Sequence, residues 1–240
     1  MRFRYHQPTP NFYSIENPDK PLTTISNDFL NEFMDIAIAS RFVGLSYSKL
    51  SEEFKRQWDI NWDNIIILKY EMSQDILKMN PSREKCKLMD LEFQEFGQKT
   101  FALADILREE GFRADLINPL DDRVSLRAIA LQSNDAVITR SNMCMFKEGL
   151  NLGLFMIQTS IENLPFKKEN ELEWVKDYCS TCGVCIDRCP EKAFDEEGNF
   201  LRKQCTAHRE GCSICINFCP FYKRGYEKVK KRYARMKNEG

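Results

Sequence analysis

Residues Cys179 to Pro220 decide how this chain is read. They contain C-S-T-C-G-V-C-I-D-R-C-P, from Cys179 to Pro190, and C-T-A-H-R-E-G-C-S-I-C-I-N-F-C-P, from Cys205 to Pro220. The first block spaces Cys179, Cys182, Cys185 and Cys189 as C-x2-C-x2-C-x3-C-P. The second ends the same way, with Cys212, Cys215 and Cys219 before Pro220, but its first cysteine, Cys205, stands off by six residues. This is the spacing of a chain that holds two [4Fe–4S] clusters, where three close cysteines wrap one cube and the fourth crosses to the other. It assigns Cys179, Cys182, Cys185 and Cys219 to the first cube. Cys189, Cys205, Cys212 and Cys215 fall to the second. Four thiolates also suit structural zinc, but two quartets each ending in C-x3-C-P are hard to read that way. His208 lies inside the widened gap. It is the alternative to Cys205, since histidine replaces thiolate in some clusters; a surface loop histidine is the plainer reading.

Composition sets the outer bounds. The chain has 240 residues, 42% apolar and 30% charged, which suits one large or two small globular domains with a core. A formal net charge of −1 supplies no global field to attract nucleic acid or membrane. No apolar run approaches the roughly 18 residues of a spanning helix. The opening MRFRYHQPTP has neither an apolar signal core nor paired arginines, so the expected compartment is the cytoplasm, and oxygen-sensitive clusters suggest that of an anaerobe. Ten cysteines in a chain that is not exported point to metal rather than disulfides. Cys86 and Cys144 lie outside the motif and read as buried thiols.

Taken in order, residues 1–25 carry Pro8, Pro10, Pro18 and Pro21 and read as an irregular arm. Ser26 caps a helix in which Phe29, Phe33, Met34, Ala37 and Ile38 recur at helical spacing. Phe42 to Tyr47 predicts a short strand, and Ser48 starts a helix that ends near Trp58. The apolar, β-branched run Asn64 to Tyr70 predicts a buried strand. Tyr70, Glu71 and Asp75 lie where a pocket could form, although strand-end and helix-start roles account for them. A short helix, Ser73 to Met79, closes at Asn80-Pro81. Ser82 to Glu110 predicts a helix about 43 Å long at about 1.5 Å per residue, with a bend near Gly97 and a stop at Gly111. Further strands are predicted at Phe112–Ile117, Ala136–Thr139 and Leu150–Thr159, and a helix at Val124–Gln132. A polar loop around Lys147-Glu148-Gly149 joins the last two strands. Alternating elements of this kind form an α/β or α+β layer. The chain divides into an α/β domain (1–165), a cysteine module (166–222) entered by a polar linker at Leu164–Glu173, and a basic tail (223–240). Lys223 to Lys237 holds eight basic residues against one acid. It reads as a helix, either simply solvated or docking an acidic redox partner.

The order of elements and the cysteine blocks together resemble the epoxyqueuosine reductases and reductive dehalogenases. NDFLNEFMDIAIASRFVGLSYSKL (27–50) is similar to that family's opening helix and strand. FALADILREEGFRADLI (101–117) is similar to its helix-to-strand segment, and LRAIALQSNDAVITRSNMCMFKEGLNLGLFMIQTSIENLPF (126–166) to the stretch before its cluster module. The resemblance implies an α+β chain: a nitroreductase-like α/β domain that binds a corrinoid, then a ferredoxin-like module with two [4Fe–4S] clusters. It implies low-potential electrons passing to a cofactor or substrate in the N-terminal half, and reduction of a C–O or C–halogen bond. An accessory protein that reactivates another protein's corrinoid fits the same plan.

Departures from the pattern matter. Where the family has a glycine-rich segment, this chain has Ser133-Asn134-Asp135-Ala136 and Ser141-Asn142. Side chains there would obstruct a flat macrocycle. No proton-donating acid or tyrosine can be placed by motif, and no counterpart of the helical-repeat extension of epoxyqueuosine reductases is seen. A second expectation therefore stands beside the first: a non-catalytic electron-transfer protein whose N-terminal half docks a redox partner. A structural or sensing cluster is the third. In all three, Pro190 and Pro220 direct the chain after each crossing ligand, and Val184, Ile186, Ile214, Ile216 and Phe218 shield the cubes from water.

Overall fold

The structure is a computed structural model that describes residues 12–58, 60, 62–117 and 124–238. Of the arm, Pro8 and Pro10 lie outside the described residues. From residue 12 to 25 the chain has no helix, and Leu22 bridges Phe112. The helix α1 (Asn27–Ala39) is capped by Ser26, whose side chain accepts from the Phe29 N–H, and it buries Leu30, Phe33 and Ala37. A left-handed Arg41, at φ 75°, turns the chain into β1 (Gly44–Lys49).

This strand lies two residues further on than the pattern of Phe42–Tyr47 predicts. Ser48 is a fully buried strand residue, and its hydroxyl donates to the Ile129 carbonyl. The cap of the next helix, α2 (Glu52–Trp58), falls to Ser51, which accepts from the Phe54 N–H. Then come β2 (Asn64–Glu71), α3 (Gln74–Lys78) and α4 (Arg83–Glu109). α4 is one unbroken helix of 27 residues. Gly97 marks close packing instead of an interruption: a Cβ there would sit 3.5 Å from the Phe155 ring. The remaining N-terminal elements are β3 (Ala114–Ile117), α5 (Leu126–Gln132), β4 (Val137–Ile138), β5 (Cys144–Met145) and β6 (Leu152–Thr159). The strand pair of β4 and β5 divides what the sequence presents as one strand and a loop.

The main sheet has the order β1-β2-β6-β3, with every neighbouring pair antiparallel. Alternation along a strand sends neighbours to opposite faces. Ile66, Leu68 and Tyr70 therefore face α1 and α4 together with Phe155 and Ile157. Ile65 and Ile67 face the other way, with Ile129, Ala130 and Met156. Helices on both faces of an antiparallel sheet make this a mixed α+β fold. Tyr70 lies flat on the backbone of Gly153 and stacks on Phe96 at 4.0 Å. Only a glycine permits that approach, since a Cβ at residue 153 would fall 2.1 Å from the tyrosine ring.

A third core ties the cysteine module to the N-terminal half, through α3, the β4-β5 pair and the chain before β6. Leu77, Val137, Met145 and Leu150 pack with Leu172, Val175, Tyr178, Ile216, Phe221, Tyr226 and Val229. The segment that composition marks as a linker is anchored at both ends, by Leu164 in the first core and Leu172 in the third. The C-terminal helices are α6 (Trp174–Cys182), α7 (Val184–Asp187), α8 (Ala207–Glu210), α9 (Ile214–Phe218), α10 (Pro220–Arg224) and α11 (Tyr226–Asn238). α11 is amphipathic: Tyr226 and Val229 are buried, while its lysines and arginines face water. Among the described residues no helix is long and apolar enough to cross a membrane.

Candidate metal centre

Cys179 and Cys182 sit on the last turns of α6. Gly183, at φ 60°, ends that helix and lets α7 begin at once, which places Cys185 beside them. Cys189 follows α7. On the other block, α9 carries Cys215, and Cys219 precedes Pro220 at the first position of α10. Pro220 needs no N–H there, so it starts the helix without loss.

The structure gathers each quartet. Cys185 lies within electrostatic reach of Cys179 and Cys182, and so does Cys219. Cys215 lies within reach of Cys212 and Cys205, and also of Cys185 of the first set. Cys189, Cys205, Cys212 and Cys215 line one cavity of about 430 Å³. Its far wall is Met72, Arg127, Ser141 and Met143 from the N-terminal half.

Among the described residues, no three His, Cys, Asp or Glu side chains close on a single point.

Burial raises the pKa of Cys179, Cys185, Cys215 and Cys219. It pushes Cys185 up to about 11 and Cys215 and Cys219 up to about 12, and the neighbouring thiolates push the same way on Cys185 and Cys215. For Cys179 burial again raises the value. Backbone amides oppose it: Ile186 at Cys185, Ile216 at Cys215, Phe221 and Tyr222 at Cys219. The N–H of Ala193 points at the Cys189 sulfur from 3.3 Å, and that of Ala207 at Cys205 from 3.5 Å. Amide donors of this kind are suited to stabilising a metal-bound thiolate.

Cys205 and His208 line the same cavity. Cys205 acts on Cys215 electrostatically and receives the Ala207 amide, whereas His208 is an exposed residue of α8. Cys205→Ala is expected to lose the second cluster and His208→Ala to retain it, as read by iron content after anaerobic reconstitution.

Lys85 was not evident from sequence. Its side chain, 1% exposed, comes from the first turn of α4. Its Nζ donates to the carbonyls of Leu77 and Met79, at 3.0 and 2.9 Å, and to the Ser213 hydroxyl at 2.6 Å. The Ser213 proton is committed to the Leu77 carbonyl, so all three partners accept, and three donors require the ammonium form. Burial lowers the Lys85 pKa, while Cys212 raises it. Gly211, at φ 64°, brings the cysteine loop against α4, and a Cβ there would meet the Lys85 stem at 3.1 Å. Spacing alone cannot reveal such a residue, because it lies 128 positions from Ser213.

Tyr70, Glu71 and Asp75 do not converge. Tyr70 is buried in the first core and burial raises its pKa. Glu71 accepts from Asn151 at 3.0 Å, and Asp75 is exposed in the first turn of α3. Cys144 is buried as its apolar setting predicts, and burial pushes its thiol up to about 12. Cys86 is only half-buried, because it faces the rim where the cysteine loop meets α4 rather than a core.

No family model matches the chain. The tetrachloroethene reductive dehalogenase of Sulfurospirillum multivorans is 23% identical over 185 residues, covering 67% of this chain and 36% of that protein. The trichloroethene reductive dehalogenase of Dehalococcoides mccartyi is 31% identical over 61 residues, 20% of this chain and 11% of that one. The chain thus spans about a third or less of the curated relatives it matches. Among solved structures, a reductive dehalogenase described for B12-dependent dehalogenation superposes with a TM-score of 0.70 at 11% identity, covering 94% of this chain and 37% of that one. A selenomethionine-labelled epoxyqueuosine reductase gives 0.56 at 13%, covering 82% and 66%. The resemblance carried by the cysteine blocks is therefore borne out: the chain has the fold shared by reductive dehalogenases and epoxyqueuosine reductases, and in sequence it is similar to the former.

Proposed function

We propose that this chain is an iron–sulfur redox protein that carries low-potential electrons through two [4Fe–4S] clusters toward its N-terminal half. The observation that carries this reading is the gathering of each spacing-defined quartet of thiols, with Cys189, Cys205, Cys212 and Cys215 on one cavity. Each cluster, once bound, supplies one-electron chemistry. The chain's own residues hold and tune it. Cys185 and Cys215 lie close enough to interact, which suits transfer between the two sites. Ile216 is buried, and Val184, Ile186, Ile214 and Phe218 are half-buried, so water is partly excluded. The likeness to reductive dehalogenases supports a reductase as the end user of those electrons.

For a corrinoid, the segment that replaces the family's glycines does not fit. Ser133, Asp135, Thr139 and Ser141 are buried and bonded within the protein. Ser133 donates to Ala130, and Thr139 pairs with Ser141 at 3.0 Å. Asp135 accepts from Ser46 and Lys167. This packing favours a second reading, an electron-transfer protein whose acceptor is a partner.

Anaerobic reconstitution with iron and sulfide followed by potentiometry tests the main reading. Two clusters reducible at low potential are expected. Clusters that resist dithionite would contradict it and leave a structural or sensing role. Titration of the loaded protein with cobalamin then separates the two readings: a base-off spectral shift supports a corrinoid reductase, and no binding supports the electron-transfer protein.

A further inference from the structure

The two cysteine sites open on different surroundings. The cavity of Cys189, Cys205, Cys212 and Cys215 abuts the N-terminal half. Cys182, from the other quartet, borders a surface cleft of about 500 Å³ lined by Arg188, Lys223, Arg224, Arg232 and Phe218. All four cations are exposed. Arg188 and Lys223 lie over the Phe218 ring, at 5.0 and 4.6 Å from its centroid, so ring contact fixes them without neutralising them. Asp187 is the one acid in the lining.

Charge is segregated along the chain in the same sense. Residues 223–237 hold eight basic residues and one acid, and the remainder holds 27 basic against 35 acidic. A chain near neutrality overall therefore carries a positive end, and that end surrounds the edge of Cys182. Oriented charge of this kind steers an oppositely charged protein into register and raises its association rate by roughly 10- to 1,000-fold.

We propose that this cleft docks an acidic electron-donor protein, so that electrons enter at the cube held by Cys179, Cys182, Cys185 and Cys219 and leave by the other. The proposal rests on the two-cluster reading above. Each transfer oxidises the donor by one electron and reduces the cube by one, with no bond or proton exchanged. A basic surface also suits nucleic-acid phosphates. Here the cations ring the edge of a candidate redox centre, which favours a redox partner.

Stopped-flow reduction of the iron-loaded protein by reduced flavodoxin, an acidic donor, tests it. The wild type should be reduced quickly at low salt and more slowly as salt rises. Arg224→Glu combined with Arg232→Glu should slow that reduction by about tenfold or more and flatten the salt dependence. Iron content and photoreduction by deazaflavin should match the wild type, which shows that the clusters are intact. Equal flavodoxin rates in variant and wild type at low salt would overturn the docking surface while leaving the two-cluster reading in place. Unchanged electron transfer with lost binding of an RNA stem-loop would overturn it in favour of a nucleic-acid surface. Failure of deazaflavin to reduce the wild type would overturn the two-cluster reading and the docking proposal with it.

Discussion

Alanine at Cys219 is expected to strip iron from the cube wrapped by Cys179, Cys182 and Cys185, and alanine at Cys189 to strip it from the cube of the other block. Each variant should retain about four irons out of about eight. The expectation follows from placement. Cys219 belongs in sequence to the second block, yet it lies within reach of Cys179 and Cys182. Cys189 belongs to the first block, yet it shares a cavity with Cys205, Cys212 and Cys215. Anaerobic reconstitution with iron and sulfide assays, followed by electron paramagnetic resonance of the reduced protein, reads the outcome. If each block instead held its own cube, the two variants would exchange their surviving signals.

Lys85→Met identifies which cube survives. The methionine keeps the apolar stem but removes the charge and its three donors. Leu77 O would still accept from Ser213 and Asn217, each at 2.7 Å. Met79 O, a part-buried acceptor, would lose its charge-assisted bond from Lys85, and a hydrogen bond to a charged group is worth about 1.5–3 kcal/mol. For a chain of this length, a loss near 2 kcal/mol lowers Tm by about 4–8 °C. Removing a cation beside Cys212 also disfavours the extra negative charge of a reduced cube, so its midpoint potential should become more negative. Combined with Cys219→Ala, Lys85→Met should shift the remaining signal, because the surviving cube is the one near Lys85. Combined with Cys189→Ala it should leave the signal where it was. Equal shifts in both double variants would mean that Lys85 does not act on one cube selectively.

Much of the fold was legible because its signals are local. The apolar run from Asn64 to Tyr70 became β2 (Asn64–Glu71), buried at all but its last position. Ser26, Ser73 and Ser82 each cap a helix, as short polar side chains at helix starts do, while the helix expected from Val124 begins at Leu126 behind a Ser125 cap. Boundaries failed where tertiary contacts took a residue over, as with Ser48, which bonds to Ile129 of α5 instead of capping α2.

Long-range polar partners were out of reach for the same reason. Lys69 continues the buried strand face with 0% exposure, and nothing near it in sequence explains that. Its partners are Glu148 at 2.6 Å, from the loop between β5 and β6, Ser46 at 2.9 Å and Asp135 at 3.7 Å. The thiol quartets are proposed from spacing, because a cubane imposes fixed spacing on its ligands. The basic run at residues 223–237 was legible, but its place beside Cys182 was not, and neither was Lys85, since these are set by how the helices pack rather than by any local pattern.

The central claim is that eight cysteine sulfurs hold two cubes, and metal content is its most direct measure. Protein purified without air should contain about eight irons and about eight acid-labile sulfides per chain. Stoichiometric zinc, or fewer than about six irons after full reconstitution, would contradict the account.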